Sequence, residues 1–106
     1  MKGEPAPPVI LIVEDDASLS QAIKDMLSRS LGCKTMVSSR GSDATLKLRN
    51  QKYDCVLLDI HLEAGSGEQV LAFMRDNPGL NRFTPIIIMS GMLDRDLIKR
   101  AAPRVN

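Results

Sequence analysis

Four short apolar runs divide the chain, and between them apolar residues return every three or four positions. The runs are residues 9–13, 34–37, 55–59 and 85–89. Such runs predict strands, and three of them read as buried on both faces, as in a parallel sheet. Residues 34–37 (Lys-Thr-Met-Val) are more polar and suit a sheet edge. Residues 17–31 have a helical period, with Leu19, Ala22, Ile23, Met26, Leu27 and Ser30 on one face and Gln21, Lys24, Asp25 and Arg29 opposite. Asp16 or Ser18 caps the start of this helix, and Gly32 ends it. A second helix is predicted over 42–50, with Ala44, Leu46 and Leu48 apolar. A third covers 68–76, with Val70, Leu71, Phe73 and Met74 inward, and Asn77-Pro78-Gly79 stops it. Leu93, Leu97, Ile98 and Ala101 predict a last helix before Pro103. Strand and helix alternate with short connections, which predicts an α/β fold: a doubly wound parallel sheet with helices on both faces.

Composition narrows the function. The 106 residues, 43% apolar and 25% charged, suffice for one small domain. Its expected bounds are 9–102, after a disordered proline-rich lead-in (1–8) and before a short tail (103–106). A net charge of +1 creates no field directed at nucleic acid or an anionic membrane. Tyr53, Phe73 and Phe83 are the only aromatic residues, too few for a base-stacking platform. Residues 9–13 are too short for a signal or membrane segment, so the expected setting is the reducing cytoplasm. Cys33 and Cys55 sit beside apolar neighbours and read as small core residues, not as a disulfide or a metal pair.

The chemistry lies where strands end. Glu14-Asp15-Asp16 follows the first strand, Asp59 ends the third, and Ser90 follows the fourth. In open α/β sheets ligands bind at the carboxyl ends of the strands. Carboxylates gathered there repel and raise one another's pKa unless a cation sits among them, and hard oxygen donors favour Mg²⁺. Asp16 is read as a helix cap. Glu14, Asp15, Asp59 and Ser90 together suit phosphoryl chemistry, with a carboxylate as nucleophile.

Four collinear segments then carry a resemblance. They are Ile10-Leu11-Ile12-Val13-Glu14-Asp15-Asp16, Gly41-Ser42-Asp43-Ala44, residues 53–62 (Tyr-Asp-Cys-Val-Leu-Leu-Asp-Ile-His-Leu) with Gly67, and residues 85–91 (Pro-Ile-Ile-Ile-Met-Ser-Gly). On these the chain resembles the receiver domain of two-component response regulators. The resemblance implies a flavodoxin-like sheet with strand order 2-1-3-4. Asp59 would be the phospho-acceptor, taking its phosphoryl group from a sensor histidine kinase or a phosphotransfer protein. Asp15 would ligate Mg²⁺ directly, Glu14 directly or through water, and His61 through its backbone carbonyl. Ser90 would bond a phosphoryl oxygen and act as the switch, with small Gly91 leaving room. Many members of the family have proline where this chain has Glu63.

The resemblance also implies a fifth strand, a lysine at its end and a fifth helix, which residues 90–106 do not supply. Lys99 does not take the lysine's place, because five residues, 91–95, cannot cross between parallel strands. The expectation is that the chain either self-associates through the exposed fourth strand and the last helix or is a fragment of a longer receiver. A receiver-like interaction module that is never phosphorylated is the alternative function. An aspartyl-nucleophile hydrolase of the haloacid dehalogenase type fits poorly, since Asp59-Ile60-His61 is on the third strand. A flavodoxin needs a phosphate-binding loop where this chain has Glu14-Asp15-Asp16.

Overall fold

The computed structural model describes residues 6–60, 62 and 66–89. In chain order these form β1 (Val9–Val13), α1 (Ala17–Leu31), β2 (Lys34–Ser38), α2 (Gly41–Asn50), β3 (Cys55–Asp59), α3 (Ser66–Asp76) and β4 (Ile86–Met89). The sheet order is β2-β1-β3-β4, and every pairing is parallel. This is the order implied by the resemblance. Residues 1–5 and the predicted helix near 93–101 lie outside the described residues.

Central position follows apolar content. β1 pairs on both sides, and Leu11, Ile12 and Val13 are fully buried. On one face of the sheet, Leu11, Val13, Val56, Leu58 and Ile86 pack with Ala44 and Leu48 of α2 and with Val70, Leu71 and Met74 of α3. Burying a side chain of this size contributes about 1.5–3 kcal/mol. On the other face Ile10, Ile12 and Cys33 form a smaller cluster under Ile23 and Leu27 of α1. Both cysteines are free.

The helix ends behave as their residues dictate. Asp16 Oδ1 accepts from the backbone N–H groups of Ser18 (2.9 Å) and Leu19 (3.1 Å), which caps α1. Gly32 closes it in the left-handed region, φ 64°, where a Cβ would be strained.

Three expectations need correction. The apolar stripe of α1 is narrower than its period suggests: Ile23 and Leu27 are half-buried, whereas Leu19, Ala22, Met26 and Ser30 are exposed. Among the described residues α1 is the single helix on its side, and it packs against β1 and β2, so part of its stripe meets no sheet. Leu46 of α2 also points outward, leaving Ala44 and Leu48, four residues apart, as the inward pair. Finally, neither β3 nor β4 is buried on both faces: on the α1 side of β3, Cys55 and Leu57 are only half-buried. In β4, Ile86 is buried against α3, but Ile87 is 55% exposed on the α1 side.

Where the amino ends of the strands meet the carboxyl ends of α2 and α3, a polar network replaces apolar packing. Asn81 is buried; its Nδ2 donates to the carbonyls of Leu48 and Gln51, both at 2.7 Å, and its Oδ1 accepts from the Tyr53 amide at 2.9 Å. The Thr84 hydroxyl lies 2.9 Å from Asn81 Oδ1 and accepts from Lys52 Nζ at 3.0 Å. The Arg75 guanidinium donates to the carbonyls of Arg82 (2.7 Å) and Thr84 (2.6 Å). Together these contacts hold the α3–β4 connection against α2. Among the described residues, no helix is long and apolar enough to cross a membrane.

Candidate functional site

Register brings the acids together. Ile12 on β1 faces Leu57 on β3, so two steps further along each strand Glu14 and Asp59 come side by side on one face. Adjacent strands lie about 4.8 Å apart. Accordingly, one carboxylate oxygen from each of Glu14, Asp15 and Asp59 lies within 4.8 Å of the other two. The cluster sits at the carboxyl edge of the sheet, beyond the ends of β1 and β3.

The three acids differ in setting. Glu14 is only 4% exposed, Asp59 is half-buried and Asp15 is open to solvent. The Glu14 amide donates to the Ser38 carbonyl (3.0 Å), which extends the ladder to β2, and its side chain accepts from the Asp16 amide (3.0 Å). Burial pushes the Glu14 carboxyl above its usual value; the Asp16 N–H opposes this, while the Asp59 charge and the neighbouring Asp15 and Asp59 carboxyls add to it. Mutual repulsion, expected from the spacing of the acids, is therefore present but secondary to desolvation.

The donor set fits Mg²⁺: hard carboxylate oxygens gathered within 4.8 Å on one solvent-open rim, with room for water to complete the coordination of a small cation. Among the described residues, Glu14, Asp15 and Asp59 are the sequence-predicted site residues that come together. His61 and Ser90 lie outside those residues.

Gly67 carries a role that its place in the motif alone does not reveal. A Cβ there would lie 2.6 Å from the Ile60 carbonyl oxygen and 2.8 Å from that of Asp59, so α3 starts directly against the backbone that carries the acid. The sequence places Gly67 just before a helix expected to start at 68; the structure starts α3 at Ser66, so the close approach of Gly67 to β3 has no local signal beyond its being glycine.

A pH dependence follows from Glu14. Its folded-state pKa is raised, so the native chain binds the Glu14 proton more tightly than the unfolded chain does. This stabilisation is present at low pH and is lost as pH rises from the ordinary carboxylate value through the raised one. At neutral pH the ionised cluster therefore weakens the fold. Glu14→Gln is expected to raise the thermal midpoint of the metal-free chain by a few degrees at pH 7 and by much less at pH 4, and Mg²⁺ should raise the wild-type midpoint at pH 7. Circular-dichroism melts in EDTA and in Mg²⁺ check this; a lower midpoint for the variant at pH 7 would contradict it.

The response regulator receiver domain family matches residues 10–104. The chain is 32% identical over 92 residues to the sensor histidine kinase AruS of Pseudomonas aeruginosa, covering 86% of this chain but 9% of AruS. The curated relatives matched first are all much longer proteins, and the chain spans only 2–14% of their length. Among solved structures, the phosphorylated cyanobacterial phytochrome response regulator RcpA aligns with a TM-score of 0.85 at 26% identity, over 95% of this chain and 78% of that one. The receiver domain of the sensor histidine kinase PA1611 of Pseudomonas aeruginosa, with magnesium in its active-site cleft, aligns with a TM-score of 0.80 at 29% identity, over 95% of this chain and 82% of that one.

Proposed function

The chain belongs to the response regulator receiver domain family, and on that premise we propose that Asp59 accepts a phosphoryl group in a two-component phosphorelay, with Glu14, Asp15 and Asp59 holding Mg²⁺. One observation carries the reading: three carboxylates gathered within 4.8 Å at the carboxyl edge of a parallel sheet. Such a concentration of negative charge costs stability, and a cation is what it suits.

Asp59 is the nucleophile because it ends the central-sheet strand β3 and is half-exposed, reachable by a donor. One of its oxygens forms a bond to phosphorus as the bond from phosphorus to the donor's imidazole nitrogen breaks, and the electron pair leaves with that nitrogen. Mg²⁺, when bound, would supply positive charge to offset that of the transferring group. Glu14, held by the Asp16 amide, and Asp15 would hold it. The His61 carbonyl is assigned as a further ligand. Ser90, which directly follows β4 where Met89 pairs with Asp59, is assigned as the donor to a phosphoryl oxygen. The donor is a sensor histidine kinase or a phosphotransfer protein.

Incubation with Mg²⁺ and acetyl phosphate tests the assignment, read by intact-mass spectrometry. The wild-type chain is expected to gain one phosphoryl group, and Asp59→Asn none. Equal labelling of the variant, or none of the wild type at saturating Mg²⁺, would remove Asp59 as acceptor.

A further inference from the structure

The end of the molecule opposite the acid cluster has its own features, which the phosphoryl chemistry does not use. A groove of about 260 Å³ runs between the carboxyl ends of α2 and α3 and is closed by the α3–β4 connection. Leu48, Phe73 and Met74 contribute its apolar lining, and Arg49 and Arg82 line it as well. The Arg49 guanidinium lies over the Phe73 ring, 5.6 Å from its centroid. Beside the groove Phe83 is 82% exposed, the most exposed large apolar side chain among the described residues, and Leu80 is 51% exposed. Arg82 stacks over the Phe83 ring at 5.5 Å.

Exposed apolar residues are ordinarily no evidence of a partner. Here they are presented by a fixed backbone. Asn81, between Leu80 and Arg82, is anchored to α2 and to the Tyr53 amide, and Arg75 clasps the carbonyls of Arg82 and Thr84. A surface already ordered before binding loses little entropy on binding, and aromatic residues with arginine are the side chains that anchor protein contacts. The charge is one-sided. The residues that line the groove carry two charges, Arg49 and Arg82, and no acid, although the whole chain is nearly neutral.

We propose that this end of the domain docks an acidic peptide segment of a partner protein, with an apolar side chain seated in the groove between α2 and α3 and its carboxylates facing Arg49 and Arg82. Phe83 and Leu80 pack against the segment at the rim. The surface is remote from Asp59, so docking does not require the acceptor.

The test is a titration of the ¹⁵N-labelled chain with three synthetic peptides: glutamate-rich with one leucine and one phenylalanine, the same with lysine for glutamate, and the same with alanine for both apolar residues. The first is expected to shift resonances of residues 80–84 and the last turns of α2 and α3, and to weaken as salt rises. The other two should bind about tenfold more weakly or not at all. Phe83→Ala and the charge reversal Arg82→Glu, both at exposed positions, should each weaken the first peptide about tenfold with unchanged melting midpoints. Asp59→Asn should bind it as the wild type does, which separates this site from the acceptor. No binding of the first peptide, equal binding of the lysine peptide, shifts mapping elsewhere, or indifference to both rim variants would overturn the proposal.

Discussion

Gly67→Ala is expected to destabilise the chain by about 3 kcal/mol, the upper part of the range for overpacking, and to weaken Mg²⁺ binding in the fraction that folds. The positions that a methyl group would overlap are all backbone: the Ile60 carbonyl oxygen at 2.6 Å, Ile60 Cα at 2.7 Å and the Asp59 carbonyl oxygen at 2.8 Å. No side chain can rotate away to make space. Either α3 moves off β3, which opens the cluster of Val70, Leu71 and Met74, or the backbone at Asp59 moves. The second route displaces one of the three clustered carboxylates. Gly79→Ala serves as the control, because a Cβ there meets nothing within 4 Å, and a change near zero is expected. Urea unfolding of both variants and Mg²⁺ titration by calorimetry provide the measurements. Wild-type stability and affinity for Gly67→Ala would mean that the contact is not tight.

Asn81→Ala is expected to cost about as much, roughly 3 kcal/mol, by a different cause. Truncation leaves the Tyr53 amide and the Leu48 carbonyl without the partner each now has, in a region closed to solvent. Each buried group left unsatisfied costs about 1–3 kcal/mol. Asn81→Asp should not rescue the loss. It preserves the acceptor for the Tyr53 amide but turns a second oxygen toward the Leu48 and Gln51 carbonyls, where Asn81 now donates at 2.7 Å. Denaturant midpoints for the two variants check the pair. An aspartate variant as stable as wild type would show that solvent reaches the network.

The strands and most helix bounds were legible because period and apolar content are local properties. Residues 9–13 and 55–59 read as strands and are β1 and β3, although only β1 is closed on both faces, and Asp16 read as a cap and is one. The acid cluster was legible for a similar reason, since parallel strands of equal phase place their ends on one rim. What escaped is set by packing between distant segments. Asn81 follows an Asn-Pro-Gly turn and looks solvated, yet its partners lie 28–33 residues away. Leu19 and Met26 share a stripe with Ile23 and Leu27 but find no sheet beneath them. The order of causes at Glu14 depends on its being 4% exposed, and a residue just past a strand end is ordinarily wetter.

The central place of β1 also governs when the fold can close. Its neighbour β3 pairs with it across 45 residues, Ile10 to Cys55, and the Val9 amide reaches the Asp54 carboxylate across the same interval. At 5–20 residues per second, a ribosome takes about 2–9 s to make that interval. Through those seconds the most apolar strand of the sheet has no neighbour until residues 34–38 are made, and then β2 on one flank and an open edge on the other. An exposed apolar edge is a template for wrong pairing, so slower synthesis over residues 14–54 is expected to lower the yield of folded chain.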